Sequence, residues 1–441
     1  MSTAVVWFRR DLRVHDHPAL VTALAQHDKV VPLFVLDGRL VRGRFPSANR
    51  TQYLLDCLRG LDAELRDRGA SLVVRHGRFE TAVERVVKET GADCVYAAGD
   101  VTPYARGRDK RVGERVDLRL GPGNFISRLG DLKTKEGTPF KVYSPFRRAW
   151  AEQKRRPVHN APKEIPVPSR VQSDGIPAVT ALGFDKPKEL EDRPEPGEAA
   201  ALKALERWAR SGVGSYEAAR ETLAEQTSRM SQYLHFGCLS PLRLEQRCRD
   251  ATVYRQELAW RDFYAYVQLY GPVERPEPRW DSDAERLDAW TQGRTGYPVV
   301  DAAMRQLHAC GWMHNRARMI VASFLTKDLH IDWRDGERVF MEHLIDGDMG
   351  NNNGGWQWVA GTGSDPQDYT RVFNPSLQQE RFDPDGSYVR RWVPELTGVP
   401  DKYLSHPWDW EGAADLDYPA PMVDHKKERL QAIEDYRDAR S

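Results

Sequence analysis

The chain has 441 residues and carries 65 basic and 65 acidic side chains, for a formal net charge of +0. That length allows two or three domains with a sizeable core. The even charge excludes a globally basic surface, so any contact with a polyanion must be a local patch. Five cysteines (Cys57, Cys94, Cys238, Cys248 and Cys310) are scattered without C-x-x-C spacing, which argues against a disulfide framework and against a metal site and points to a reducing, cytoplasmic compartment. The N-terminus MSTAVVWFRRDLR lacks the apolar run of a signal peptide, and no segment reaches the roughly 20 apolar residues of a membrane span.

In chain order, residues 4–8 (AVVWF), 30–36 (VVPLFVL), 72–74 (LVV) and 93–98 (DCVYAA) are short apolar runs rich in strand formers. Amphipathic segments at 50–68 and 79–89 separate them. This alternation predicts an α/β fold with a doubly wound parallel sheet over residues 1–130. Such sheets bind ligands beyond the carboxyl ends of their strands, which makes the loops at Asp37 and Asp100 candidate sites. No G-x-G-x-x-G or G-x-x-x-x-G-K-S/T is present, so an ordinary dinucleotide or triphosphate site is not expected. Residues 131–197 form a connector, proline-rich from Arg155 to Gly197. From 198 to 441 the pattern is all-α, with helices expected at 199–210, 216–225, 241–249, 256–269, 298–309, 314–328 and 335–345.

Within the helical part the run DGDMGNNNGGWQW (346–358) concentrates carboxylates, amides, glycines and two tryptophans. Gly347 and Gly350 are expected to stop the preceding helix, leaving a polar turn that presents Trp356 and Trp358. A calcium loop fails, because Asn351 stands where such a loop needs glycine and Gln357 where it needs glutamate. A buried polar turn and a planar aromatic ligand site both remain open. ELAWRDFYAYV (257–267) puts Glu257 on one helical face with Trp260 and Arg261. GWMHNRARMI (311–320) gathers Asn315, Arg316, Arg318 and Met319. TSRMSQYLHFG (227–237) offers hydroxyls, amides and Arg229 at a helix start, which suits either phosphate or a plain N-cap. Tryptophans recur at 280, 290, 312, 333, 356 and 358, and core packing alone can account for a buried tryptophan.

The run from TGYPVVDAAMRQLHACGWMHNRARMIVASF to GDMGNNNGGWQWVAGTG, with WFRRDLRVHDHPAL near the N-terminus, closely resembles the photolyase/cryptochrome family, and most nearly its class I cyclobutane-dimer branch. The resemblance extends from Val5 to about Trp410. It implies a Rossmann-like antenna domain, a connector and an all-α FAD-binding, DNA-binding domain with carbon–carbon lyase activity. Carried over by motif, FAD contacts are implied at Tyr216, Thr227, Ser228, Arg229, Met230, Ser231, Trp312, Asp346, Asp348 and Asn352, the last facing the reactive flavin nitrogen. Trp280, Trp333 and Trp356 match the three-tryptophan electron chain. Glu257, Trp260, Asn315, Met319 and Trp358 match the pocket for the damaged pyrimidines. Arg220, Arg261, Arg316, Arg371 and Gln378 match DNA contacts.

The implied reaction is electron transfer from excited reduced FAD to a flipped-out dimer in DNA by a monomeric protein. The (6-4) branch would bring histidine near Asn315 or Met319, and the single-strand-preferring cryptochromes a tyrosine for Trp358; the family resemblance gives neither here. A second, antenna chromophore is also implied. Tyr104 and Ala105 replace the Asn-Glu pair of folate-binding members, which favours 8-hydroxy-5-deazaflavin over methenyltetrahydrofolate, with Asp37, Arg50 and Asp100 as its contacts. A signalling cryptochrome without repair activity and an electron-transferring flavoprotein that ignores DNA are the alternatives.

Overall fold

Five strands pair in parallel in the order β3-β2-β1-β4-β5: β1 (Thr3–Phe8), β2 (Lys29–Leu36), β3 (Val73–His76), β4 (Cys94–Ala98) and β5 (Leu118–Gly121). β1, β2 and β4 follow the expected apolar runs, while β3 keeps Val73 and Val74 of the expected 72–74 and continues through Arg75 and His76. Every residue of β1 is buried, as a sheet covered on both faces requires. Because β2 and β4 lie on opposite sides of β1, the winding reverses between β1 and β4, and Asp37 and Asp100 follow β2 and β4 at the carboxyl edge. The computed structural model that shows this describes residues 1–169, 171–225 and 227–440.

Three elements of this region escape the apolar pattern. The edge strand β5 reads LRLG, with Arg119 as its one polar side chain, and has no buried residue. The Pro18–Gln26 helix starts at a proline behind a His17 cap. The Pro103–Gly113 helix, PYARGRDKRVG, has too few apolar residues for a periodic signal and depends on its Thr102 cap and N-terminal proline.

By its internal contacts the chain divides into two compact units. The first comprises Met1–Glu189, Pro194–Val213 and Arg229–Gly271, and the second Leu190–Arg193, Gly214–Ser228 and Pro272–Ser441. This partition differs from the three consecutive stretches read from the sequence, since the 229–271 stretch, helical in pattern, clusters with the sheet.

Two buried carboxylates organise the first unit. Asp262, on the Thr252–Tyr270 helix, is fully buried and accepts from Ile126 N (3.1 Å), Ser127 N (3.0 Å), Ser127 Oγ (3.0 Å) and Trp150 Nε1 (2.9 Å). Glu198, first residue of the Glu198–Ser211 helix, accepts from Val14 N (2.7 Å) and His15 N (2.9 Å), which ties that helix to the loop after β1. Burial pushes its carboxyl up to about 7, against the opposing pull of those two N–H groups and Arg13.

The second unit is helical. Its core gathers around Trp290, Phe324, Phe340, Trp356 and Tyr388. The Pro298–Cys310 helix illustrates the local logic: proline at its start, an apolar face of Val299, Ala303 and Leu307, and left-handed Gly311 (φ 62°) at its end. The helix expected at 216–225 is only Tyr216–Ala219, because the Leu223 N–H is taken by the Phe382 carbonyl at 2.8 Å. The helix expected at 314–328 divides into Asn315–Ser323 and a π-helical turn, Phe324–Asp328. Neither Gly347 nor Gly350 ends a helix as expected: Trp333–His343 stops before Leu344, and Gly350 lies inside a new helix, Met349–Ala360. All five cysteines are buried and unbridged. Among the described residues no helix is long and apolar enough to cross a membrane.

Asp262→Ala would strand four buried donors, at a cost on the order of 3–5 kcal/mol; denaturant titration should show the lower midpoint, and an unchanged midpoint would contradict this role. Glu198 gives a pH test. Its pKa is raised on folding, so its contribution is fully present below the free value of 4.5 and is lost as pH rises through about 7. Glu198→Gln should therefore flatten the dependence of unfolding midpoint on pH across that window, and a variant with the parent's slope would refute the assignment.

Candidate active site

Asparagine and glycine are poor helix formers, yet DGDMGNNNGGWQW folds as a helix because Asp348 caps it, accepting from Asn351 N at 2.9 Å, and because its buried face packs into the core. The helical rotation separates Trp356 and Trp358 by about 200°, so they point to opposite faces. Trp356 is 2% exposed, packed edge-on against Phe340 (ring centroids 5.0 Å) and Trp290 (6.1 Å), whereas Trp358 is half-buried. Asn352 Nδ2 donates to the Glu337 carbonyl at 3.0 Å, which fixes the amide and leaves Oδ1 with no hydrogen bond among the described residues. Asn353 and Gln357 continue the belt: Asn353 Nδ2 donates to Glu337 Oε1 (2.9 Å) and Gln357 Nε2 to Asn353 Oδ1 (3.0 Å).

Trp280 and Trp333 are brought together by backbone pairing. Asp281 bridges Ile331 and donates its N–H to the His330 carbonyl at 2.8 Å, so Trp280 precedes the bridge and Trp333 follows it. Glu277 accepts from Trp280 Nε1 (2.9 Å) and is gripped by both terminal nitrogens of Arg334 (2.9 and 3.0 Å), whose guanidinium lies over the Trp333 ring. The Arg334 charge and the hydrogen bonds hold the Glu277 carboxyl below its ordinary range despite burial. Trp356 and Trp333 are buried and Trp280 is half-exposed, a gradient from interior to surface.

Asp346 is buried and paired with Arg318, whose Nη2 lies 2.9 and 3.2 Å from its two oxygens. Met319 and Asn315 share a face of the Asn315–Ser323 helix, with Asn315 Nδ2 3.9 Å from the Met319 sulfur. His314, which the sequence analysis passed over, directly precedes Asn315. Its Nδ1 caps the helix by accepting from Arg316 N (3.1 Å), and burial between Arg316 and Arg318 lowers its pKa to about 4. It is therefore a neutral structural cap. Arg316 is engaged by Glu221 at 2.7 Å, and Trp312 packs edge-on to His314. Arg371 is exposed, its carbonyl held by buried Lys327 Nζ at 2.9 Å; Tyr216, Arg220 and Gln378 are half-buried.

In the first unit, Glu257 and Trp260 are half-buried on the Thr252–Tyr270 helix. Tyr143 stacks on Trp260 with ring centroids 3.6 Å apart, so a further ring can use only the opposite indole face. Arg261 Nη2 donates to the Asn124 carbonyl at 3.0 Å. The second unit ends one of its segments at Thr227 and Ser228, and the first resumes at Arg229, Met230 and Ser231. Arg229 holds a left-handed backbone (φ 51°), a strained state for a bulky residue that concentrates at binding segments. Asp37 caps a turn after β2 through Arg39 N (3.0 Å), Asp100 accepts from Thr102 N (3.1 Å), and Arg50 Nη2 donates to the Phe45 carbonyl (2.6 Å), so each antenna candidate has a local structural role.

Residues 4–168 match the family model described as DNA photolyase, and residues 254–438 the model described as FAD binding domain of DNA photolyase. The deoxyribodipyrimidine photo-lyase of Streptomyces griseus is 43% identical over 98% of both chains. A bacterial class III photolyase from Agrobacterium tumefaciens superposes with a TM-score of 0.91 at 34% identity, covering 100% of this chain and 98% of its own. An archaeal photolyase from Sulfolobus tokodaii, solved with two FAD molecules, gives 0.87 at 30% identity, covering 99% and 100%. Likeness of this degree, spanning both units from end to end, makes the chain a member of the DNA photolyase family.

Proposed function

We propose that this chain repairs cyclobutane pyrimidine dimers in DNA under blue or near-ultraviolet light, using FAD. The observation that carries the proposal is its 43% identity, over 98% of both chains, with a relative named deoxyribodipyrimidine photo-lyase. In this reading residues 1–130 are the antenna domain, 131–197 the connector and 198–441 the FAD- and DNA-binding domain.

The residues present fit a flavin. Asn352 offers an oriented amide oxygen without a partner of its own, suited to a ring N–H, and the buried Asp346–Arg318 pair offers charge-assisted hydrogen bonding beside it in sequence. Tyr216, Thr227, Ser228, Arg229, Met230 and Ser231 would hold the phosphates, with Trp312 and Asp348 as further contacts. When bound, the cofactor supplies the light-driven electron that splits the dimer and takes it back afterwards. Trp280, Trp333 and Trp356 carry electrons inward from the surface to keep it reduced.

Glu257 and Asn315 hydrogen-bond the flipped pyrimidines, and Met319 supplies an apolar contact. Trp260 and Trp358 each give an indole face on which a base can stack. Extruding a dimer costs on the order of a few kcal/mol, and stacking at about 1–3 kcal/mol per base offsets it. Arg220, Arg261, Arg316, Arg371 and Gln378 contact the DNA, giving affinity that falls with salt although the whole chain is neutral. A second chromophore is the antenna; Tyr104 and Ala105, where folate-binding members have Asn-Glu, support 8-hydroxy-5-deazaflavin. The absorption spectrum of the native protein separates the two, since their bands differ.

Two variants test the roles separately. Trp356→Phe should abolish photoreduction of the oxidised cofactor while chemically reduced enzyme still repairs; loss of both would contradict the electron-chain role. Glu257→Ala should lower repair yield at normal FAD content, and loss of FAD instead would show that Glu257 is misplaced. Binding should favour dimer-containing over intact oligonucleotides, and equal affinity for the two would count against a repair enzyme.

A further inference from the structure

Gly336 sits inside the Trp333–His343 helix at a buried position, where alanine would be the stronger helix former. Its backbone is ordinary helix, so conformation does not require glycine. Space does: a Cβ there would meet the outer ring of Trp356, with Cζ3 and Cζ2 at 2.5 and 2.6 Å and Cη2 closer still. That ring cannot retreat freely, because it is rigid, 2% exposed, and held edge-on by Phe340 at 5.0 Å and Trp290 at 6.1 Å. Trp333 and Gly336 are three positions apart, so the missing side chain opens a notch on the helical face that Trp333 shares.

We infer that Gly336 is a positioning residue for electron transfer: its bare backbone lets the Trp356 ring lie against the helix that bears Trp333 and so sets the separation and mutual angle of these two carriers. Electron transfer depends steeply on both, so a methyl group in the notch should slow the relay without touching the lesion chemistry. This rests on the proposed role of Trp356.

The test is a double-mutant cycle on FAD-loaded enzyme with Gly336→Ala, Trp356→Phe and the pair, reading unfolding midpoint, photoreduction rate and repair by chemically reduced protein. Phenylalanine lacks the outer indole ring that fills the notch. Gly336→Ala should therefore lower the midpoint and slow photoreduction in the parent, keep repair by reduced enzyme, and raise the midpoint when added to Trp356→Phe. Should Gly336→Ala fail to fold, recovery of a folded double variant supports the notch and failure of both overturns it. Equal effects of alanine on the midpoint in the two backgrounds, or parental photoreduction in Gly336→Ala, sink the inference alone. If Trp356→Phe itself photoreduces like the parent, the electron-chain reading falls and this inference with it.

Discussion

The carboxylate of Asp262 is fully buried, and the first unit is arranged to compensate. Four donors from two other segments converge on it, two of them backbone N–H groups of the Ile126–Ser127 loop and one the Trp150 indole. A buried charge without such partners would be strongly destabilising, so the carboxylate specifies where the Thr252–Tyr270 helix must lie. Glu257 and Trp260 belong to the same helix, within about one and a half turns. The second unit uses the same device: buried Asp301 accepts from Thr295 N, Thr295 Oγ1 and Gly296 N at 2.7, 2.7 and 3.1 Å, and Asp383 from Tyr388 N and Val389 N at 2.9 Å each. Helices of both units are thus held by hydrogen-bonded buried carboxylates as well as by apolar packing.

The Met349–Ala360 helix shows how one element can serve two purposes. Its rotation sends Trp356 into an aromatic core and leaves Trp358 half-buried on the other face, while Asn352 is oriented by a carbonyl of the neighbouring helix. A buried indole and a half-buried one thus occupy different sides of a few helical turns. The segments that carry Trp280 and Trp333 are stiffened by the Asp281–Ile331 bridge and the Glu277–Arg334 pair.

Much of the sheet was legible from the chain. Buried parallel strands need Val, Leu and aromatic runs, and β1, β2 and β4 show them; the two edge strands do so less, β3 ending on Arg75 and His76 and β5 reading LRLG with no buried residue. The Met349–Ala360 helix was read as a turn because its glycines and asparagines have low propensity, and the Asp348 cap and tertiary packing that override propensity are not periodic signals. Site residues became assignable through family resemblance, since a lone Glu257 or Asn315 has no local signature. The supporting layer was invisible for another reason. Asp262 acts as an anchor and Gly336 as a notch only through partners distant in sequence, and spacing within one helix does not report them.

Purified protein, reduced anaerobically and given oligonucleotides containing cyclobutane dimers, should restore intact pyrimidines under blue light and do nothing in the dark. Dimers that persist under illumination, with FAD bound and fully reduced, would contradict the account.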